Sequence, residues 1–289
     1  MHRSLRIAAA AGLLLSPVLA FAAEGTFDRR LDVHGSVVLT VDTGSGYIHL
    51  SPGPDSMVHI VGHVHAGENK LFGIAWGAND GTPEERVKKV VGNPPVQQTG
   101  DTIRVGKQQH VQNVSIDYEI TTPRNTQVEL NSGSGDIRAN GVVGAFKAET
   151  GSGSIDASGV GGYISLETGS GNIRADLANG HDVKAQTGSG SIHLGNVQGS
   201  LKADTGSGDV EVSGQPTAPW RVETGSGSIN LTTGNARFTL DAETGSGSIH
   251  SDPPMTTHGS QERHHVTGDI NGGGPNVHLE TGSGSIAIH

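Results

Sequence analysis

A hexapeptide of the form Thr/Ser-Gly-Ser-Gly-x-Ile/Val recurs nine times, starting at Thr43, Ser132, Thr150, Thr168, Thr187, Thr205, Thr224, Thr244 and Thr281. From Ser132 to Thr244 successive copies are separated by 18, 18, 19, 18, 19 and 20 residues. A period this regular belongs to a stack of like units, each burying its apolar face only against its neighbours. The 45 glycines and 3% aromatic content would otherwise suggest a low-complexity chain, but the fixed period and the alternating apolar positions argue for order.

One unit, Gly162 to Ala175, gives the local geometry. Ile164, Leu166 and Thr168 alternate with Ser165 and Glu167, the two-residue period of a strand with one buried face. After the Gly-Ser-Gly corner, Ile173 and Ala175 point inward while Asn172 and Arg174 point outward. Each coil thus holds two short strands and two turns, and its connections are too short for a helix, so coils are expected to stack in parallel about 4.8 Å apart. The fold expected is an all-β, single-stranded parallel β-helix or β-solenoid of about 18–20 residues per coil. Glycines at the corners, among them Gly151, Gly153, Gly169 and Gly171, are expected because a tight corner demands backbone angles that a Cβ resists. A phosphate-binding loop is the rival reading, and it fails because neither a Walker lysine nor a helix follows the glycines.

Stacking converts each repeat position into a column. Ile137, Ile155, Ile173, Ile192, Val210, Ile229 and Ile249 form one inward ladder, and Ala148, Leu166, Ala185, Ala203, Val222 and Ala242 a second. Outside, Glu149, Glu167, Gln186, Asp204, Glu223, Glu243 and Glu280 form a mostly acidic line. Beside it run Lys147, Ser165, Lys184, Lys202, Arg221, Asp241 and His278, a mostly basic line that offsets the repulsion within the acidic one. Glu149, Glu167, Asp204, Glu223, Glu243, Lys147, Lys184, Lys202 and Arg221 are therefore the candidate binding face, against the plainer reading of a solvated charge ladder.

The flanks are less regular. Arg3 and Arg6, the apolar run Ile7 to Leu15 and the small-x-small triplet Ala20-Phe21-Ala22 read as a signal peptide cleaved after Ala22. That run is too short to span a membrane, and the absence of cysteine excludes disulfides and a lipoprotein anchor. The expectation is an exported protein of the periplasm or the extracellular surface. The formal charge of −10, which becomes −12 once Arg3 and Arg6 leave, argues against nucleic acid and anionic lipid as partners.

Residues 23–130 are read as an N-terminal β cap. It opens with a coil at Val37, Leu39, Val41 and Thr43, followed by strands over Met57 to His65 and Val114 to Ile120. Between them, 67–112 reads as an inserted loop carrying one short helix, with Thr82 as N-cap, Pro83 at its first position, Glu85 as capping-box partner and Gly92 at its end. Residues 131–289 are the repeat solenoid. In it, 251–262 breaks the pattern, His264 to Ile270 reads as a degenerate copy, and Ile286 and Ile288 read as a terminal strand with an unpaired edge. That edge would be covered by the 251–262 loop or by another molecule, which opens a route to self-association.

Three chemistries could be carried by such a scaffold. His59, His63 and His65 share one strand parity, but i and i+4 positions stand about 13 Å apart on a strand, so only His63 and His65 could share a metal ion. Glu149 and Glu167 on adjacent coils approach the spacing of a retaining glycosidase. The same pair recurs along the stack, however, and Trp76, Trp220 and three tyrosines are the whole supply of Trp and Tyr platforms for sugar rings. Calcium β-rolls require an Asp-bearing glycine repeat twice per coil, whereas here Asp follows Gly-Ser-Gly directly only at Asp136 and Asp209.

The motifs Phe27-Asp28-Arg29, Val41-Asp42-Thr43-Gly44-Ser45-Gly46, the passage Val114 to Gly135, the serial copies and Asn271-Gly272-Gly273-Gly274-Pro275 together resemble a large bacterial family of putative adhesins, exported β-strand-repeat proteins. The resemblance implies a right-handed β-helix and surface adhesion, and it carries no catalytic residues and no cofactor. The expected function is that of a non-enzymatic envelope scaffold or adhesin facing a glycan or protein partner. A glycan- or metal-binding module is the alternative, and a degenerate polysaccharide-active enzyme stands behind it.

Overall fold

The computed structural model describes residues 23–67, 70–71, 74–75, 81–106, 113–178, 182–258 and 262–289. The signal-peptide reading of 1–22, Trp76, and parts of the 67–112 and 251–262 segments lie outside the described residues. Two large sheets, of 12 and 13 strands, face each other and share the core. Each regular coil places one strand in each sheet. In the second sheet Thr126–Ser132, Phe146–Thr150, Ile164–Thr168, Val183–Thr187, Leu201–Thr205 and Trp220–Thr224 pair in parallel and in register. In the first sheet Ile137–Asn140, Ile155–Val160, Ile173–Leu177, Ile192–Val197, Val210–Gly214 and Ile229–Thr232 do the same, with small register shifts. This is the parallel two-strand coil that the period implies.

Inward positions are closed to solvent along the stack: Ile137, Ile173, Ile192, Val210 and Ile229 in one ladder, and Ala148, Leu166, Ala185 and Val222 in the facing one, are each 0% exposed. A further inward column, Val128, Phe146, Ile164, Val183, Leu201 and Trp220, supplies the bulk that the alanines lack. Trp220 is 1% exposed and donates its indole N–H to Gly199 O at 2.8 Å, so it belongs to the core and offers no platform to a sugar.

The repeating glycines have a different cause from the one expected. None of those at the regular Gly-Ser-Gly corners has positive φ. What excludes a side chain is the coil beneath: a Cβ on Gly153 would lie 2.1 Å from Gly135 O, and one on Gly171 1.9 Å from Gly153 O. The first residue of each hexapeptide locks the same corner. Thr168 Oγ1 donates to Gly153 O at 2.8 Å and accepts from Gly171 N at 3.1 Å. Thr187, Thr205 and Thr224 repeat the first of these contacts at 2.7 to 2.9 Å. Outside the corner a second ladder runs through the fifth residue, whose side chain accepts from the next coil's amide. Ser154 N reaches Asp136 Oδ1 at 2.9 Å, Ser191 N reaches Asn172 Oδ1 at 2.9 Å and Ser228 N reaches Asp209 Oδ1 at 2.8 Å.

The N-terminal region extends both sheets. Val37–Thr43 pairs with Thr126–Ser132 and Ile48–Pro52 with Ile137–Asn140, so the sheets run without a break across residue 131. The helix Pro83–Gly92 carries the expected capping box, with Glu85 N donating to Thr82 Oγ1 at 3.3 Å and Thr82 N to Glu85 Oε2 at 2.9 Å. Its Val87 and Val90 are buried, and Val87 lies over Gly25 of the edge strand Ala23–Asp32. The 67–112 segment is more structured than a loop with a helix. Val96–Thr99 and Thr102–Val105 form a hairpin whose second strand runs parallel to Val37–Thr43. Together with Val114–Thr122, which pairs with Ile48–Pro52, that strand makes a further coil below the one opened by Val37.

The C-terminal order departs from the sequence order. Asn276–Thr281 lies between Trp220–Thr224 and Phe238–Thr244, and Ile286–Ile288 lies between Ile229–Thr232 and Ile249–Ser251. Ile286 and Ile288 are 0% exposed, so the expected unpaired edge at the last strand is not there. At that end of the sheet the outermost described strand is Ile249–Ser251 instead. Nor is 264–270 a degenerate coil. His265–Ile270 runs antiparallel to Phe238–Thr244, and Met255–Thr257 adds to it antiparallel as the last strand of the second sheet. The 251–262 segment thus covers the end of the stack in one sheet through Met255–Thr257.

Candidate binding face

The outer face of the second sheet carries the two charged columns, because every alternate residue there is turned inward. Register places Glu129, Lys147, Ser165, Lys184, Lys202 and Arg221 in one line and Asn131, Glu149, Glu167, Gln186, Asp204 and Glu223 in the next. The inserted coil then interrupts both lines: His278 follows Arg221 and precedes Asp241, and Glu280 lies between Glu223 and Glu243.

Lys147 bridges two carboxylates, 2.9 Å from Glu149 Oε1 and 3.3 Å from Glu129 Oε1. Its bonds to Glu149 and then Glu129 raise its pKa above the ordinary lysine value. Further along, Lys184 is 3.9 Å from Glu167, and Arg221 contacts Glu223 and lies 4.0 Å from Glu280. Lys184, Lys202 and Arg221 occupy successive strands and form a local cationic run on an acidic protein. At the N-terminal end of the same face, a shallow groove is lined by Val38, Gln127, Phe146 and Lys147 and bordered by Tyr163, which is 56% exposed.

The histidine strand is in the other sheet. Met57–Ala66 is flanked antiparallel by Ala23–Asp32 and Val114–Thr122, both of which bring acids to its outer face. His65 lies 3.2 Å from Asp117 Oδ2 and 3.6 Å from Glu24 Oε1, His63 3.9 Å from Glu119 Oε1, and His59 3.0 Å from Asp28 Oδ2. His63 and His65 share a face, but each is turned to its own carboxylates. Among the described residues, the one trio whose ligand atoms lie within 4.8 Å of one another is elsewhere: Glu223, His278 and Glu280. The sequence places these residues 55 or more positions apart or two apart on one strand, and only the inserted coil joins them.

The helix Pro83–Gly92 is the only described helix, and no described helix is long and apolar enough to cross a membrane. Among curated proteins none matches this chain. Similar solved structures include a putative cell adhesion protein from Clostridium sporogenes ATCC 15579, at 14% identity and TM-score 0.29, covering 92% of this chain and 99% of that one. Another is a putative adhesin from Bacteroides fragilis NCTC 9343, at 12% identity and TM-score 0.47, covering 92% of this chain and 97% of that one. The family model described as Toastrack DUF4097 matches residues 84–289, from the helix through every regular coil, and the chain belongs to that family.

Proposed function

We propose that this protein is an exported, non-enzymatic scaffold of adhesin type, displayed in the periplasm or at the cell surface, whose charged outer face engages an envelope glycan or protein. The observation that carries this reading is the run of Lys184, Lys202 and Arg221 on three successive strands, set beside the acidic column. A rigid sheet presents such charges at the strand spacing of about 4.8 Å, a pitch suited to an extended anionic polymer or peptide. The interior is filled by side chains, so this outer surface is where a partner would be met.

Co-sedimentation of the protein with intact cells, isolated peptidoglycan and lipopolysaccharide, at low and high salt, tests the reading. Saturable binding to one fraction that weakens with salt and with the double substitution Lys184→Ala, Lys202→Ala is expected. Retention by none of the three would overturn it. A glycan-binding module is favoured as a second reading by one feature, the exposed Tyr163 ring beside the groove of Val38, Gln127 and Lys147. Loss of polymer binding in Tyr163→Ala, with Lys184→Ala, Lys202→Ala unaffected, would favour it.

A further inference from the structure

Where the last coil is inserted, the basic column changes character, because His278 stands between Arg221 and Asp241. Asp241 Oδ2 lies 2.9 Å from His278 Nδ1, and its other oxygen lies 2.8 Å from His265 Nε2. A carboxylate at Nδ1 fixes that nitrogen as the N–H donor, which leaves Nε2 of the neutral ring with a lone pair. That lone pair faces Glu280 Oε2 at 3.4 Å, with Glu223 alongside. Two acceptors facing each other call for a cation between them. A metal ion can supply it.

We propose that Glu223, His278 and Glu280 form a zinc site that clasps the inserted C-terminal coil to its neighbour, with Asp241 orienting the histidine. The ligand atoms lie within 4.8 Å of one another, so side-chain adjustment of about 1 Å brings all three to the roughly 2.0–2.2 Å bond lengths zinc takes from imidazole and carboxylate. One nitrogen and two carboxylates suit zinc and leave a fourth position for water, whereas calcium seeks six to eight oxygens. Asp241 behind the imidazole is the carboxylate–histidine arrangement that holds metal-ligating rings in place. The competitor is Arg221, whose guanidinium now contacts Glu223 and approaches Glu280. Its side chain is 52% exposed and can swing into solvent when the ion enters. The site is independent of which envelope component the charged face engages.

Calorimetric titration of the whole chain with zinc chloride tests the proposal, with calcium chloride as the comparison ion and zinc-dependent melting as a second readout. One zinc per chain and a higher melting temperature are expected, with no calcium binding of similar strength. His278→Ala and Glu280→Gln should each weaken zinc binding by about tenfold or more, and Asp241→Asn by about ten- to a hundredfold. Arg221→Ala should tighten it, while His63→Ala, His65→Ala should leave it unchanged. Because His278→Ala also removes a contact to Asp241, Glu280→Gln serves as the variant that keeps the fold. Zinc affinity unchanged in both, or matched by calcium, overturns the site.

Discussion

The middle of the stack and its two ends are held by different chemistry. Between Thr126 and Thr232 the coils follow one another in sequence order, and the ion pairs on the second sheet's outer face are of the Lys/Arg–Glu type. At the ends the order is broken, antiparallel strands appear, and histidine meets carboxylate repeatedly. His59–Asp28 and His65–Asp117 lie at one end, and His250–Asp252, His289–Asp252, His258–Asp269 and His265–Asp241 at the other, at 2.7 to 3.2 Å. A repeat can be stabilised by copying one solution, because each coil meets an identical neighbour. An end has no such neighbour and must be finished with locally specific contacts.

The sharpest way to break this comparison is to put a methyl group where a coil is expected beneath. Gly169→Ala directs its Cβ to 2.4 Å from Gly151 O, side chain against backbone, and should destabilise by about 2–3 kcal/mol. Gly44, at the same motif position as Gly169 but near the N-terminal end, has nothing within 4 Å of its Cβ direction among the described residues. Gly44→Ala should therefore change stability by less than about 0.5 kcal/mol. Equal losses in chemical denaturation would erase the distinction between middle and end.

Thr168→Val comes next. It keeps the shape of a side chain that is 3% exposed but strands Gly153 O and Gly171 N, so a loss of about 1–3 kcal/mol is expected from the same measurement. At the N-terminal end, Thr82→Ala removes the helix cap and should lower stability by about 1 kcal/mol. Its effect should appear in hydrogen exchange of the helix and of Ala23–Asp32, with the regular coils unaffected.

The smallest effect separates the regions by pH. The His59 ring 3.0 Å from Asp28, hydrogen bonds from His289 and then His250 to Asp252, and contacts from Thr239 and then His258 to Asp269 hold these carboxyls below their ordinary values. A carboxyl with a lowered folded pKa contributes stability above its unfolded value, about 4, and loses it as pH falls through the folded value. Lys147 is shifted the other way, so its contribution is complete below the ordinary lysine value and is lost as pH rises through the raised one. Hydrogen exchange should thus find the ends opening first in acid and the coils around Lys147 loosening first in alkali. These groups remain open to solvent, Asp269 and Lys147 only partly, so screening keeps the effect small, and the same order of opening at both extremes would refute the contrast.

The regular coils were legible because the hexapeptide records their geometry directly. Ile137, Ile155 and Ile173 share a column, and so do Glu149 and Glu167. The helix was legible from Thr82, Pro83 and Glu85, since capping is decided within four residues. The meaning of the glycines was not, because a clash with the coil beneath leaves the same trace in sequence as a demand for unusual backbone angles. The constant Thr or Ser at the head of each hexapeptide was the signal for the corner hydrogen bonds. The insertion of Asn276–Ile288 was hidden for a related reason: its motif fits equally well against either neighbour, and nothing local says which slot it fills. Glu223, His278 and Glu280 therefore could not be assembled from spacing, whereas His63 and His65 could be noticed because they are two apart on one strand.

The placement of that last coil bears on how the molecule responds to force. A chain that ends in an outermost repeat can be peeled from its stack one row of hydrogen bonds at a time. Here a pull on the C-terminal end meets strands bonded on both sides in both sheets, so four rows must give way before the coil leaves. A load applied there is shared among four rows of strand pairing, whereas the edge strand Ala23–Asp32 pairs with one neighbouring strand and relies on the helix Pro83–Gly92 laid over Gly25.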